Sequence, residues 1–188
     1  MERLQGPVRL DFHDAEMPSR SHATHARDFV LSDRQRAAAP WPHRGVTIAA
    51  ADADAAVSPR PGATLSIGPF VPRRPWTGDA DEHRYSHLLI ALTNAKQGRE
   101  AEFDDWYWSQ HFPDGLRLPG CYAGRRYALA PQGAGPFAHL AIYQYDIAEI
   151  GESIDELARR SGTPEMPITD AISPVFQAWY IQPVNEWR

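Results

Sequence analysis

After residue 85, apolar and polar positions fall into blocks with two different periods. Ser86–Thr93 (S-H-L-L-I-A-L-T) is an apolar run of strand length, followed by a stretch in which Phe103, Tyr107 and His111 recur at every fourth position. Trp106 and Gln110 lie beside them on the same broad face of a helix. Glu100, Glu102, Asp104 and Asp105 crowd the first half of that helix, where the positive end of its dipole favours acid groups. Pro113 biases Phe112 away from helical geometry, so the helix is expected to end near His111. Further strand-length runs at 121–129, 137–146 and 175–182 and a helical pattern at 149–160 complete the order. Strands at 86–94, 121–129, 137–146 and 175–182 with helices at 98–112 and 149–160 give βαββαβ, a ferredoxin-like α+β unit.

Residues 1–84 read differently. They are rich in Pro, Ala, Arg and Asp, with apolar pieces at Phe29–Leu31, Val46–Ala51 and Ala63–Val71 separated by breakers such as Pro40-Trp41-Pro42. Val46-Thr47-Ile48 and Thr64-Leu65-Ser66-Ile67 suit short strands, and the P-R-R-P-W run at 72–76 suits an extended linker. The expected organisation is an irregular extension over 1–84, wrapping the core or a partner subunit, and a ferredoxin-like domain over 85–188.

Strand alternation divides the sheet into two faces. Leu88, Ile90 and Leu92, with Leu140 and Ile142, form an apolar row suited to helix packing, and Phe176, Ala178 and Tyr180 are grouped with them. His87, Leu89, Ala91 and Thr93, with His139, Ala141, Tyr143 and Tyr145, form a mixed row, to which Gln177, Trp179 and Ile181 are assigned. A mixed aromatic and polar face without helices must meet a second subunit, the extension or a ligand. A dimer enclosing a cavity is the expectation.

The net charge of −5 shows no basic patch of the kind that phosphate binding needs, which speaks against nucleic acid. The acidity lies after residue 84, with eight basic and thirteen acidic residues. A lone cysteine, Cys121, leaves no internal disulfide or thiolate-rich zinc site and suits a reducing cytoplasm. The first residues lack the apolar core of a signal peptide, and no stretch is long enough to span a membrane. Two histidines three apart, His22 and His25, together with His13 and His43, lack a nearby carboxylate or cysteine at ligand spacing, so no metal is expected.

The run from Asn94 to Asp114, N-x-x-x-G-R-E-x-E-F-x-x-W-Y-x-x-x-H-x-P-D, is followed by L-P-G at 118–120, R-R-Y at 125–127, A-I-Y-Q-Y-D at 141–146 and G-T-P-E-M-P-I-T-D-A-I-S-P at 162–174. Together these resemble the EthD-like members of the dimeric α/β-barrel superfamily, over residues 85–184. The resemblance implies two ferredoxin-like sheets paired face to face as a homodimer around a pocket for a small, largely apolar ligand. It does not imply one reaction, because relatives include cofactor-free cyclases, isomerases, lyases, monooxygenases and haem-handling enzymes.

His111 is the first candidate for a catalytic acid or base, because histidine titrates nearest neutral pH and a place at a helix C-terminus favours its protonated form. The resemblance also implies a functional histidine there. Tyr143 can polarise a substrate oxygen, and either Arg126 or Arg125, which point to opposite faces of one strand, can balance negative charge. His87, His139, Trp179, Tyr107 and Trp106 are candidate substrate contacts, and Asp114 can orient His111 or cap the turn after Pro113. The functional expectation is a cofactor-independent lyase, isomerase or cyclase using acid–base chemistry on a small aromatic or polyketide-like molecule. A haem-handling or cofactor-free monooxygenase and a non-catalytic small-ligand binding protein are the alternatives.

Overall fold

The computed structural model describes residues 5–14, 26–36, 42–80 and 85–184. Their strands are β1 (Val8–His13), β2 (Ala26–Leu31), β3 (Gly45–Ala50), β4 (Leu65–Pro72), β5 (Thr77–Gly78), β6 (His87–Thr93), β7 (Cys121–Ala134), β8 (His139–Tyr145) and β9 (Gln177–Pro183). The helices are α1 (Glu100–Trp106), α2 (Phe112–Leu116) and α3 (Ile150–Arg160), with a π-helical turn, Tyr107–His111, joining the first two.

All strands belong to one antiparallel sheet in the order β4-β1-β3-β2-β9-β6-β8-β7-β5, and an additional β4–β7 ladder closes eight of them into a barrel. The same arrangement occurs twice. Within the first four strands the order is fourth, first, third, second, and within β6 to β9 it is again fourth, first, third, second. The chain is thus an α+β barrel built from two ferredoxin-like sheets joined by the β2–β9 and β4–β7 ladders.

This arrangement corrects the expected irregular extension. Val46-Thr47-Ile48 and Leu65-Ser66-Ile67 lie in β3 and β4, and Phe29–Leu31 in β2, so the segment before residue 85 supplies half of the barrel wall. Closing the barrel needs no second copy of the chain, because the second sheet is covalently attached. Short strands broken by Pro and Gly gave little local signal, and their stability comes from ladders to partners distant in sequence, such as Leu10↔Ile67 and Phe70↔Leu129.

Strand composition follows coverage. β1 (V-R-L-D-F-H) alternates cleanly: Val8, Leu10 and Phe12 enter the barrel, while Arg9, Asp11 and His13 form an outer polar ladder. In that ladder Ser66 donates to Asp11 at 2.6 Å, Thr47 donates to Asp28 at 2.6 Å, and His13 Nε2 lies 3.0 Å from Thr47 Oγ1. β6 (H-L-L-I-A-L-T) is nearly continuous in apolar residues because it is covered twice, by the barrel interior and by the helices.

The helix does not end near His111. At the π turn the Phe112 N–H bonds the Tyr107 carbonyl, five residues back, and Pro113 falls in the first turn of α2, where no intrahelical donor is required. The widened turn absorbs the proline, and the helical path continues to Leu116.

Phe70, fully buried on β4 beside the closing ladder, tests whether both sheets form one cooperative unit. Phe70→Ala is expected to cost about 3–5 kcal/mol in urea unfolding. Fluorescence and circular dichroism should still report a single shared transition; separate transitions for the two halves would contradict the closed barrel as the folding unit.

Candidate functional site

The faces of the second sheet are used in the reverse of the expected sense. Leu88, Ile90, Leu92, Leu140 and Ile142 fill the barrel with Val8, Leu10, Phe12, Phe29, Val46, Ile48 and Phe70, as suits an eight-stranded barrel whose width side chains can fill. Leu89, Ala141, Tyr143 and Tyr145 face outward against the helices. Register also reassigns the last strand. Trp179 pairs with Ile90 and Ile181 with Leu88, so both enter the barrel, whereas Tyr180 pairs with Leu89 on the helix face. Trp179 packs edge-on against Phe12 with ring centroids 6.3 Å apart, away from the other candidates. Arg125, opposite Ile142, binds the Arg74 and Gln5 carbonyls at 2.8 Å each and fastens chain segments.

The polar candidates converge in the seam between this outer face and the helices. Because the π turn adds a residue, Trp106, Tyr107 and His111 all turn toward the sheet: His111 stacks on Trp106 at 4.5 Å and meets Tyr107 edge-on at 5.0 Å. Trp106 is held by a 2.9 Å bond from its indole N–H to the Pro167 carbonyl, within the loop that closes one side of the seam. Tyr107 and Tyr143 bring their hydroxyls within 3.5 Å. Tyr143 is seated between two glycines; a Cβ at Gly115 would lie 3.1 Å from its ring and one at Gly124 only 2.9 Å away.

Arg126, opposite Ala141 and 1% exposed, is the largest fully buried side chain among the described residues. Its guanidinium lies 3.8 Å from the Tyr107 ring centroid and 4.9 Å from that of Trp108, so it is bracketed by aromatic faces. Its Nη2 donates to Asp104 at 3.0 Å, and Arg73 takes the other oxygen of the same carboxylate at 3.1 Å. One carboxylate shared by two arginines leaves the group with a net positive charge. Arg126 Nε and Nη1 have no hydrogen-bond partner among the described residues, and neither do His111 Nδ1 and His139 Nδ1. Buried donors and acceptors left unpaired are costly.

Burial holds His111 neutral, with its pKa lowered from 6.5 to about 4; the Asp114 carboxylate opposes the shift, and the charges of Arg126 and Arg36 add to it. The protonated state expected for a helix terminus is therefore corrected, since His111 sits inside a continuous helical path. His139, half-buried against Phe103 at 5.2 Å, is lowered to about 4 by burial and then by Arg126. Burial raises Tyr143 well above 10.0, so it remains a hydroxyl donor. Burial likewise raises Tyr107, with Arg126 opposing.

Asp114 does not bond the His111 ring. It accepts from Gln110 at 2.6 Å and Arg117 at 2.9 Å, and Arg160 of α3 lies 4.0 Å away, so it ties the helices together. His87 lies opposite Tyr145 on the helix face, with Nδ1 3.1 Å from Ser86 Oγ, and burial lowers its pKa. His43 pairs with Asp14 at 2.5 Å; His22 and His25 lie outside the described residues. The sequence reading missed Asp104 as the carboxylate partner of Arg126, and Arg73 and Trp108 as its neighbours, because register alone brings 73, 104, 108 and 126 together.

No protein-family model matches the chain, and no curated protein matches it. Among solved structures it is similar to an anthrone oxidase-like protein, with a TM-score of 0.58, 10% identity and coverage of 96% of this chain and 92% of that one. It is also similar to a major regulator of staphylococcal pathogenesis, with a TM-score of 0.52, 10% identity and coverage of 95% and 99%. The fold is that of a dimeric α/β barrel. In both neighbours the likeness spans nearly the whole of a single chain. No helix among the described residues is long and apolar enough to cross a membrane.

The lowered histidines set a pH dependence. His111 and His139 bind a proton more readily in the unfolded chain, so the stability they govern is complete above about pH 6.5 and falls as pH drops toward about 4. Urea unfolding should show stability declining between pH 7 and pH 5, with a shallower decline in His111→Gln. An unchanged slope in that variant would contradict the neutral histidine.

Proposed function

We propose that this protein is an EthD-like enzyme that processes a small aromatic or polyketide-like molecule by cofactor-independent proton transfer in the helix–sheet seam. The observation that carries the reading is the half-buried, neutral His111 with a buried, unpaired Nδ1, in one seam with the two unpaired donor nitrogens of buried Arg126. A neutral imidazole with a free lone pair is a base. His111 removes a proton from an acidic carbon or hydroxyl of the bound molecule and returns it at the end of the cycle. Tyr143, kept protonated by burial, donates to the oxygen on which charge gathers, and Arg126 balances the enolate or phenolate. The aromatic walls of Trp106, Tyr107 and Trp108 suit a flat ligand. Proton removal followed by redelivery yields isomerisation, cyclisation or elimination according to the substrate.

The anthrone oxidase-like neighbour favours a second reading, in which the electron-rich anion formed by the same deprotonation reacts with dioxygen. Oxygen uptake separates the two. The test is a screen of phenolic and polyketide-like compounds by mass spectrometry without added cofactor, with an oxygen electrode in parallel. His111→Ala is expected to lower kcat by about 10²–10⁴-fold, and Arg126→Lys to weaken anionic substrates selectively. Undiminished turnover by a folded His111→Ala protein would overturn the assignment.

A further inference from the structure

Beneath α3, farther along the same outer face, the hydroxyls of Tyr145, Ser153 and Tyr180 form a second polar group whose side-chain neighbours are one another and the Cys121 thiol. The three residues are 0%, 0% and 2% exposed, and none of their side-chain oxygens has a hydrogen bond of normal length among the described residues. The two tyrosine rings meet edge-on at 5.7 Å, and all three hydroxyls are close enough to influence one another's ionisation. With Asp11 Oδ2 set aside, every buried unpaired side-chain atom among the described residues belongs to the outer face of the second sheet or the helices on it. Three buried O–H groups directed at one another without closing a network are a poor way to stabilise a core, since phenylalanine and alanine would fill the same space.

A segment from the first half reaches this place. Ser32 N–H donates to the Tyr180 carbonyl at 3.0 Å; Gln35 donates to that carbonyl at 2.7 Å and accepts the Tyr180 N–H at 3.0 Å. Arg34 lies 3.6 Å from Asp155 of α3. Arg36, exposed and without a hydrogen bond or ion pair among the described residues, places its charge where both His111 and Tyr180 feel it. His111 and Tyr180 therefore share one electrostatic neighbourhood. On the sheet, Leu89 lies between Tyr143 and Tyr180, which joins the two regions.

We propose that Tyr145, Ser153 and Tyr180, with Arg36 on the solvent side, form a second polar subsite that binds a hydroxyl or carbonyl group at the end of the substrate remote from Arg126. The proposal rests on the functional reading of the seam and adds the substrate class. Arg126 is opposite Ala141, and Tyr145 is four residues farther along β8, about 13 Å at strand rise. A ligand serving both places is elongated, carrying an anionic group at one end and an oxygen function at the other, as a hydroxylated multi-ring aromatic acid does.

Two fluorescent probes test it in the full chain. 6-Hydroxy-2-naphthoate is expected to bind about tenfold more tightly than 2-naphthoate, roughly one hydrogen bond to a buried partner. Ser153→Ala with Tyr180→Phe should abolish that preference, leave 2-naphthoate binding unchanged and leave Tm the same or higher. Arg36→Gln should reduce affinity for both probes. A preference that survives in the double variant, or a fall in its Tm, would overturn the subsite while leaving the His111 reading intact. Failure of both naphthoates to bind the wild-type protein would overturn the subsite and the aromatic-ligand reading together.

Discussion

A closed eight-stranded sheet has only one inside, and the two ladders that close it, β2–β9 and β4–β7, govern the rest of the structure. Once closed, the barrel must be filled, and its interior takes Val, Leu, Ile and Phe from both halves together with Trp179. Polar chemistry is thereby expelled to the outer surface. On the second half that surface lies beneath helices, and a buried polar seam results.

The seam departs from the ordinary rules of a core. Its helix widens into a π turn at the positions that carry Tyr107 and His111, and its largest buried residue is an arginine. A chain selected for packing alone would not keep Arg126 Nε and Nη1 and His111 Nδ1 unpaired away from water. Several local rules of packing and hydrogen bonding thus fail together at one place.

The two halves have diverged in role while keeping one topology. The first sheet carries a hydrogen-bonded polar ladder on its outer face, with Asp11 receiving Ser66 and Arg9, and Thr47 linking His13 to Asp28. It also serves the seam of the second half. Arg73 shares Asp104 with Arg126, Arg74 lies 4.2 Å from the Trp108 ring, and Ser32 and Gln35 clamp Tyr180. Covalent linkage places these residues at a fixed stoichiometry that an association of separate chains would have to achieve by binding.

The sequence by itself determined the elements after residue 85 and their βαββαβ order, because alternation and helical periodicity are local properties of the chain. It also brought His111, Tyr107 and Trp106 to one helix face and separated Arg125 from Arg126. Tertiary structure alone decided which face of the sheet is inside. Alternation defines two rows but not their destinations, and the destination depended on a second sheet whose strands, short and interrupted by Pro and Gly, are held by ladders to distant partners. The same long-range register moved Trp179 into the barrel and Tyr180 out of it, and packing against the sheet made His111 neutral by surrounding it. Burial and cross-strand register are properties of the closed molecule, and no window of sequence contains them.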